Sequence, residues 1–321
     1  MELTEDDIKR LESLPPSFAT VDDDDDEDMP FSEGISPNWS PRVNYDLLCG
    51  SIIGQDEAKK AAAMVMYNTW SVRPCTALFC GQSGSGKTEI WRVLARELSG
   101  LINIIDGSHI TPPGYRGSSL ASVLYVIQQS TGGHASILVI DEVDKMLRGD
   151  FGVEKSAQLL KLLEHEKLIM QPEGNRPAFV FDASNVSIVL LGAFTELRKQ
   201  KLQLAPQLGF GTPPARPKPS EKITEQDLIN YGISPEIVGR IERIVTMEQP
   251  TLDMYARIAE LEAEKLTRST KRTVSLSDYT LKKLVADAYN HQVGARYLKN
   301  SIYSLLDEQM FDHPSLRSYT L

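Results

Sequence analysis

The sequence predicts an α/β fold built on a parallel sheet with helices on both faces, followed by a small helical domain. Two observations carry this. From Ile52 to about Met247, short and largely apolar runs (residues 77–80, 102–105, 137–140 and 186–191) alternate with helix-patterned segments. Apolar runs of that length are what strands buried on both faces require, and their alternation with helices implies parallel order. From Pro250 onward the pattern turns helical. Leu252, Tyr255, Ile258, Ala259 and Leu266 form one stripe, and Leu298, Ile302, Leu305 and Leu306 another. Residues 273–276 read as a short strand between the two stripes.

The first strand, residues 77–80, leads into Gly81-Gln82-Ser83-Gly84-Ser85-Gly86-Lys87-Thr88, a complete G-x-x-x-x-G-K-[ST] phosphate loop. Its glycines let backbone N–H groups close around the β- and γ-phosphates at the positive end of the following helix. Lys87 adds a point charge, and the Thr88 hydroxyl is a ligand for Mg²⁺. The helix that follows places Ile90, Val93, Leu94 and Leu98 on one face. A chance glycine-rich turn would not carry Lys-Thr at this offset between a strand and a helix. The segment binds ATP or GTP.

The run at 136–140 ends in Asp141-Glu142-Val143-Asp144. Four apolar residues running into Asp-Glu form a Walker B element, in which Asp141 holds Mg²⁺ through water and Glu142 polarises the attacking water. A strand ending in a solvated acidic turn is the alternative for an isolated Asp-Glu pair. The phosphate loop upstream argues against it.

Charge is unevenly spread along the 321 residues. The run 22–28 holds seven acidic residues, so removing it from the net −10 leaves −3. A nearly neutral body has no basic excess for a phosphate backbone, so no nucleic-acid partner is expected. The acidic run reads as a solvated, disordered linker. Residues 1–50 are therefore assigned to an acidic tail with at most one small helix, around Ile8, Leu11 and Leu14. The large α/β domain is assigned to 51–249 and the small helical domain to 250–321. The N-terminus is polar and no run is long enough to span a bilayer. Cys49, Cys75 and Cys80 form no CxxC pair, which excludes a disulfide scaffold and a zinc site and points to a cytoplasmic protein. Residues 203–220 are rich in proline and glycine and read as a long exposed loop.

Further motifs, in collinear order, make the chain resemble the AAA+ unfoldases of the ClpX type over residues 49–315. These are Ile52-Ile53-Gly54-Gln55 with Ala58-Lys59-Lys60, Gly114-Tyr115-Arg116-Gly117, Leu208-Gly209-Phe210-Gly211, Pro235-Glu236-Ile237-Val238-Gly239-Arg240, Gly294-Ala295-Arg296, and Met310-Phe311-Asp312 with Pro314-Ser315. The resemblance implies a P-loop AAA+ large domain with a helical lid, ATP and Mg²⁺ as cofactors, and a homo-oligomeric, six-membered ring. It also implies protein substrates threaded through a central pore and delivery to a ClpP-like peptidase. By the same resemblance Ile53 contacts adenine and Tyr115 is the pore residue that grips substrate. Arg240 is the arginine finger that reaches a neighbouring subunit, with Arg243 its competitor. Arg296 is the sensor-2 arginine, and Leu208, Gly209 and Phe210 dock on the peptidase. A protease-independent remodelling ATPase of the same fold is the alternative, and a nucleic-acid motor a more distant one. The chain departs from the family in three places. Arg116 stands where an aliphatic residue follows the pore aromatic, no cysteine pair corresponds to an N-terminal zinc module, and the sensor-1 position is marked only by Thr195.

Overall fold

A computed structural model describes residues 40–98, 100–111, 119–148, 151–173, 176–203, 222–291 and 294–321. Its centre is a five-stranded, all-parallel sheet of β1 (Thr76–Cys80), β2 (Ile102–Asp106), β3 (Ser136–Asp141), β6 (Val186–Gly192) and β7 (Arg243–Thr246), in the order β2-β3-β6-β1-β7. The expected mixed α/β architecture with a parallel sheet is therefore present. Successive residues of each central strand point to opposite faces, and both sets are apolar. Leu78, Leu138, Ile140, Ile188 and Leu190 enter one core, while Ala77, Phe79, Ile137, Val139, Val189 and Leu191 enter the other.

Helices cover both faces. Helices α2 (Asp56–Ser71) and α3 (Lys87–Glu97) pack on the second core through residues such as Ala62, Met66, Ile90, Trp91 and Leu94. The first core is covered by α4 (Leu120–Thr131), α5 (Val143–Arg148) and α6 (Gly152–Leu163), through Leu124, Met146 and Leu159 among others. Trp91 meets Phe79 edge-on, with ring centroids 5.6 Å apart. Preceding them, α1 (Pro41–Cys49) corrects the tail assignment, which ran to residue 50. Ser40 caps its first turn by accepting from Val43 N–H, Pro41 sits at the first helical position, and Leu48 is fully buried in the core.

Four of the described strands, β9 (Ser318–Thr320) near the C-terminus among them, had no counterpart among the expected elements. β4 (Lys167–Met170) and β5 (Phe179–Asp182) form an antiparallel hairpin, and β7 closes the sheet beside β1. After β6 come α7 (Thr195–Gln203), α8 (Glu225–Tyr231) and the one-turn α9 (Pro235–Val238).

The C-terminal segment has a core of its own. It comprises α10 (Leu252–Thr270), β8 (Thr273–Ser275), α11 (Asp278–His291), α12 (Ala295–Asp312) and β9 (Ser318–Thr320), with β8 and β9 paired in parallel. Tyr255, Ala259, Leu266, Leu298, Ile302 and Leu306 fill it together with Val274 and Tyr319. Leu252 does not belong to this stripe. It is the first residue of α10 and lies exposed, because the helix turns inward only from Tyr255.

Candidate functional site

The phosphate loop joins the C-terminal end of β1 to the first residue of α3. Gly84 (φ +78°) and Gly86 (φ +96°) take the left-handed conformation that side chains disfavour. Gly86 caps α3 and, lacking a side chain, offers no acceptor of its own to the first N–H groups of the helix, an end that suits an anion. Lys87 is buried and its ammonium donates to the carbonyls of Gln82 (3.0 Å) and Gly81. Burial pulls its pKa below the usual lysine range, and the carboxylates of Asp141 and Asp144 oppose that shift. A phosphate would supply the negative partner that a desolvated ammonium lacks.

Thr88 and Asp141 come from α3 and from β3, which lies two strands away from β1 in the sheet. The Thr88 hydroxyl donates to Asp141 Oδ2 at 2.6 Å. Two hard oxygen ligands side by side suit Mg²⁺, which keeps most of its waters and takes one or two protein oxygens besides phosphate. Next in sequence, Glu142 adopts φ +55°, and its N–H donates to Asp141 Oδ1 at 2.8 Å. Left-handed backbone at a non-glycine residue is held strain of the kind found at functional sites. Its carboxylate pairs with Lys145 at 2.7 Å.

Asp144 is a site residue that the sequence motifs do not mark. It is buried, and it accepts from the backbone N–H groups of Ala193 (3.2 Å) and Phe194 (3.1 Å), which ties the end of β3 to the end of β6. A buried carboxylate needs such donors. Phe194 is itself left-handed (φ +46°), and its ring packs so closely on Gly192 that a Cβ there would come within 2.2 Å of it. Thr195 follows as the exposed first residue of α7. Arg198, half-buried on the same helix, also went unnoticed in the sequence, and its charge is felt at Lys87.

The start of α12 lies against the phosphate loop. Ala295 N–H donates to the Gly84 carbonyl at 3.3 Å, and a Cβ on Gly294 (φ +73°) would come within 2.8 Å of Gly84 Cα. Arg296 is exposed in this first turn of α12. The segment at Ile53 joins the same region. Gln55 (φ +60°) exchanges two 2.9 Å hydrogen bonds with the backbone of Glu248, and the preceding Met247 packs on Gly81. Gly54 (φ +63°) leaves room for Met254 of α10, and Ile53 is half-buried. The structure thus gathers the phosphate loop, Asp141, Glu142, Ile53 and the α12 start around one place.

Arg240 is elsewhere. It lies at the N-terminal end of β1, where Glu242 N–H donates to the Thr76 carbonyl at 3.1 Å. The five residues of β1 separate it from the phosphate loop, roughly 16 Å of strand at about 3.3 Å per residue. There Arg240 donates to Glu164 (2.9 Å) and to the Glu236 carbonyl (3.0 Å), while Arg243 opens β7 and is exposed. Tyr115, Arg116 and the loop of Leu208, Gly209 and Phe210 lie outside the described residues, as do the acidic run and the Ile8–Leu14 pattern. Among the described residues no cluster of three or more His, Cys, Asp or Glu could hold a metal, and no helix is long and apolar enough to cross a membrane.

Comparison with known proteins agrees with this geometry. Residues 77–199 match the family described as "ATPase family associated with various cellular activities (AAA)". The chain is 25% identical to the ATP-dependent Clp protease ATP-binding subunit ClpX of Treponema denticola, over 87% of this chain and 78% of that protein. It is 25% identical to the ClpX 2 subunit of Wolinella succinogenes, over 84% of this chain and 76% of that protein.

Proposed function

We propose, on the premise that this chain is an AAA+ ATPase of the ClpX type, that it forms a ring and uses ATP hydrolysis to unfold and thread protein substrates. The observation that carries the ATP site is the meeting of Thr88 and Asp141 at 2.6 Å beside a glycine-shaped loop onto which α12 also docks. In this reading Gly81 to Thr88 hold the triphosphate and Ile53 the adenine. Thr88 and Asp141 hold Mg²⁺, and Glu142 orients and deprotonates water. The metal would supply charge neutralisation at the β- and γ-phosphates.

The ring is supported by the distance between Arg240 and its own phosphate loop. A cation at the far end of β1 cannot serve the nucleotide of its own subunit, but it can serve a neighbour's, where it would stabilise charge in the transition state. The lid is taken as residues 250–321 and the large domain as 51–249, with the nucleotide between them. Arg296, in the first turn of α12, would lean on the bound phosphates, and loss of the γ-phosphate would let the lid swing. Three cysteines outside any disulfide fit a cytoplasmic setting.

Threading is tested at Tyr115. Tyr115→Ala is expected to retain most ATP turnover and lose the unfolding of a stable folded reporter, because an aromatic ring between glycines grips by area and takes no part in the chemistry. Unfolding at the parent rate would end the grip assignment. Delivery to a ClpP-like peptidase is proposed from the relatives' names and from the Leu208-Gly209-Phe210 loop. Changing Leu208 and Phe210 to Ser is expected to abolish peptidase-dependent degradation while sparing ATPase and unfolding. Burial of each side chain contributes about 1.5–3 kcal/mol, and a ring presents several copies at once, so the loss of avidity is steep. If the variant still degrades a tagged reporter with ClpP at the parent rate, the docking role is wrong.

A further inference from the structure

We infer that Glu164 is a positioning residue for Arg240, holding its guanidinium ready for the nucleotide of the adjoining subunit. This rests on the reading of Arg240 as an arginine finger. Two of the five N–H donors of the guanidinium are engaged, one from Nη2 to Glu164 at 2.9 Å and one from Nη1 to the Glu236 carbonyl at 3.0 Å. The other three have no partner among the described residues and suit an incoming phosphate.

Both partners hang from the start of β1. Glu164 closes the last turn of α6, with its N–H donating to the Lys161 carbonyl at 3.3 Å. The next residue, His165, is left-handed (φ +52°) and its ring is held between Thr76 Oγ1 (3.0 Å) and the Ala183 carbonyl (3.3 Å). Strained backbone kept in place by two ring hydrogen bonds leaves Glu164 little freedom to drift. On the other side Arg240 stands two residues before Glu242, whose carboxylate Arg73 grips with two hydrogen bonds of 3.0 and 2.8 Å. Glu242 N–H donates to the Thr76 carbonyl at 3.1 Å. Thr76 is thus the common anchor of the carboxylate and the guanidinium, although Glu164 and Arg240 lie 76 positions apart.

Stability gives this arrangement little reason to exist. The side chains of Arg240 and Glu164 are 36% and 37% exposed, and pairs so open to water contribute little to folding. A two-point hold on a planar guanidinium does something else. It removes rotamer freedom from a long side chain before phosphate arrives, so the transition state does not have to supply that ordering.

The test uses the full-length ring and steady-state ATP hydrolysis. Glu164→Ala is expected to lower kcat about tenfold with KM for ATP within about twofold, the signature of a group felt in the transition state. Glu164→Gln keeps an acceptor at the same reach and should recover most of that loss, with thermal unfolding unchanged in both variants. Mixing Glu164→Ala with Glu142→Gln subunits should give turnover above the average of the two parents, because the defect of the first is delivered to its neighbour. A merely structural role would not produce that recovery. If Glu164→Ala turns over at the parent rate while Arg240→Ala is inactive, the positioning role is overturned and the finger reading stands. Should Arg240→Ala itself turn over normally, both fall together.

Discussion

Lys87→Ala will abolish nucleotide binding, while Glu142→Gln will keep it and stop turnover. The two residues act at different moments. Lys87 is a buried ammonium in the phosphate loop, hydrogen-bonded to loop carbonyls and pushed below the usual lysine pKa by desolvation. Removing it should not unfold the protein, since a desolvated charge is a cost in the folded chain and not a support. It should remove the cation that phosphate needs. Nucleotide at a hundred times its Kd stabilises a protein by about 2.7 kcal/mol. That thermal shift is expected in the parent and in Glu142→Gln, and absent in Lys87→Ala. Glutamine preserves the size of Glu142 and leaves untouched the backbone N–H that donates to Asp141, but it cannot take a proton from water. Loss of a general base of this kind costs a hundredfold or more, roughly 10²–10⁴ in kcat. Tight ATP binding by Lys87→Ala would remove the central claim about the site.

The sheet and the phosphate loop were legible because their signals are local. A strand buried on both faces is apolar at nearly every position, Ser187 being the exception here, so residues 77–80, 137–140 and 186–191 announced themselves. The loop writes its whole geometry into eight consecutive residues. β7 gave no such signal. Arg243-Ile244-Val245-Thr246 is half polar and becomes a strand only because β1 offers it an edge. The β4–β5 hairpin is four residues a side with outward positions such as Ile169 and Val180 exposed, too short and too mixed for a period to emerge. The start of α1 was legible in principle. Ser40-Pro41 is a cap followed by a first-turn proline, but it sits at the end of a Pro- and Ser-containing stretch whose composition reads as tail.

The site divides along the same line. Asp141 and Glu142 follow from the run that precedes them. Asp144 does not, because its partners Ala193 and Phe194 lie some fifty positions away and are backbone groups, which carry no residue-type signal. The left-handed turns at Glu142, Phe194 and His165 are equally silent in the sequence, since no glycine marks them. What a motif can supply at Arg240 is its identity. Which end of the sheet it occupies, and therefore whose nucleotide it can reach, comes only from the topology.

Arg240→Ala is expected to bind ATP nearly as the parent does and to fail in hydrolysis. The side chain lies at the N-terminal end of β1 with Glu164 and Glu236, away from its own phosphate loop, so ground-state binding in the same subunit should not feel the change. Turnover should fall by about 10³ or more, the range found when a finger that neutralises transition-state charge is removed. Glutamine or lysine at 240 would not restore it, because neither offers the planar fork that two-point contact with phosphate uses. The sharper measurement is made on mixed rings. Combining Arg240→Ala with Glu142→Gln subunits creates some interfaces in which an intact Glu142 faces an intact Arg240, so the inactive parents should together regain part of the activity. Native mass measurements would establish that mixed rings form. If they form and remain inactive, Arg240 does not act across a subunit boundary, and its pairing with Glu164 is all that it does.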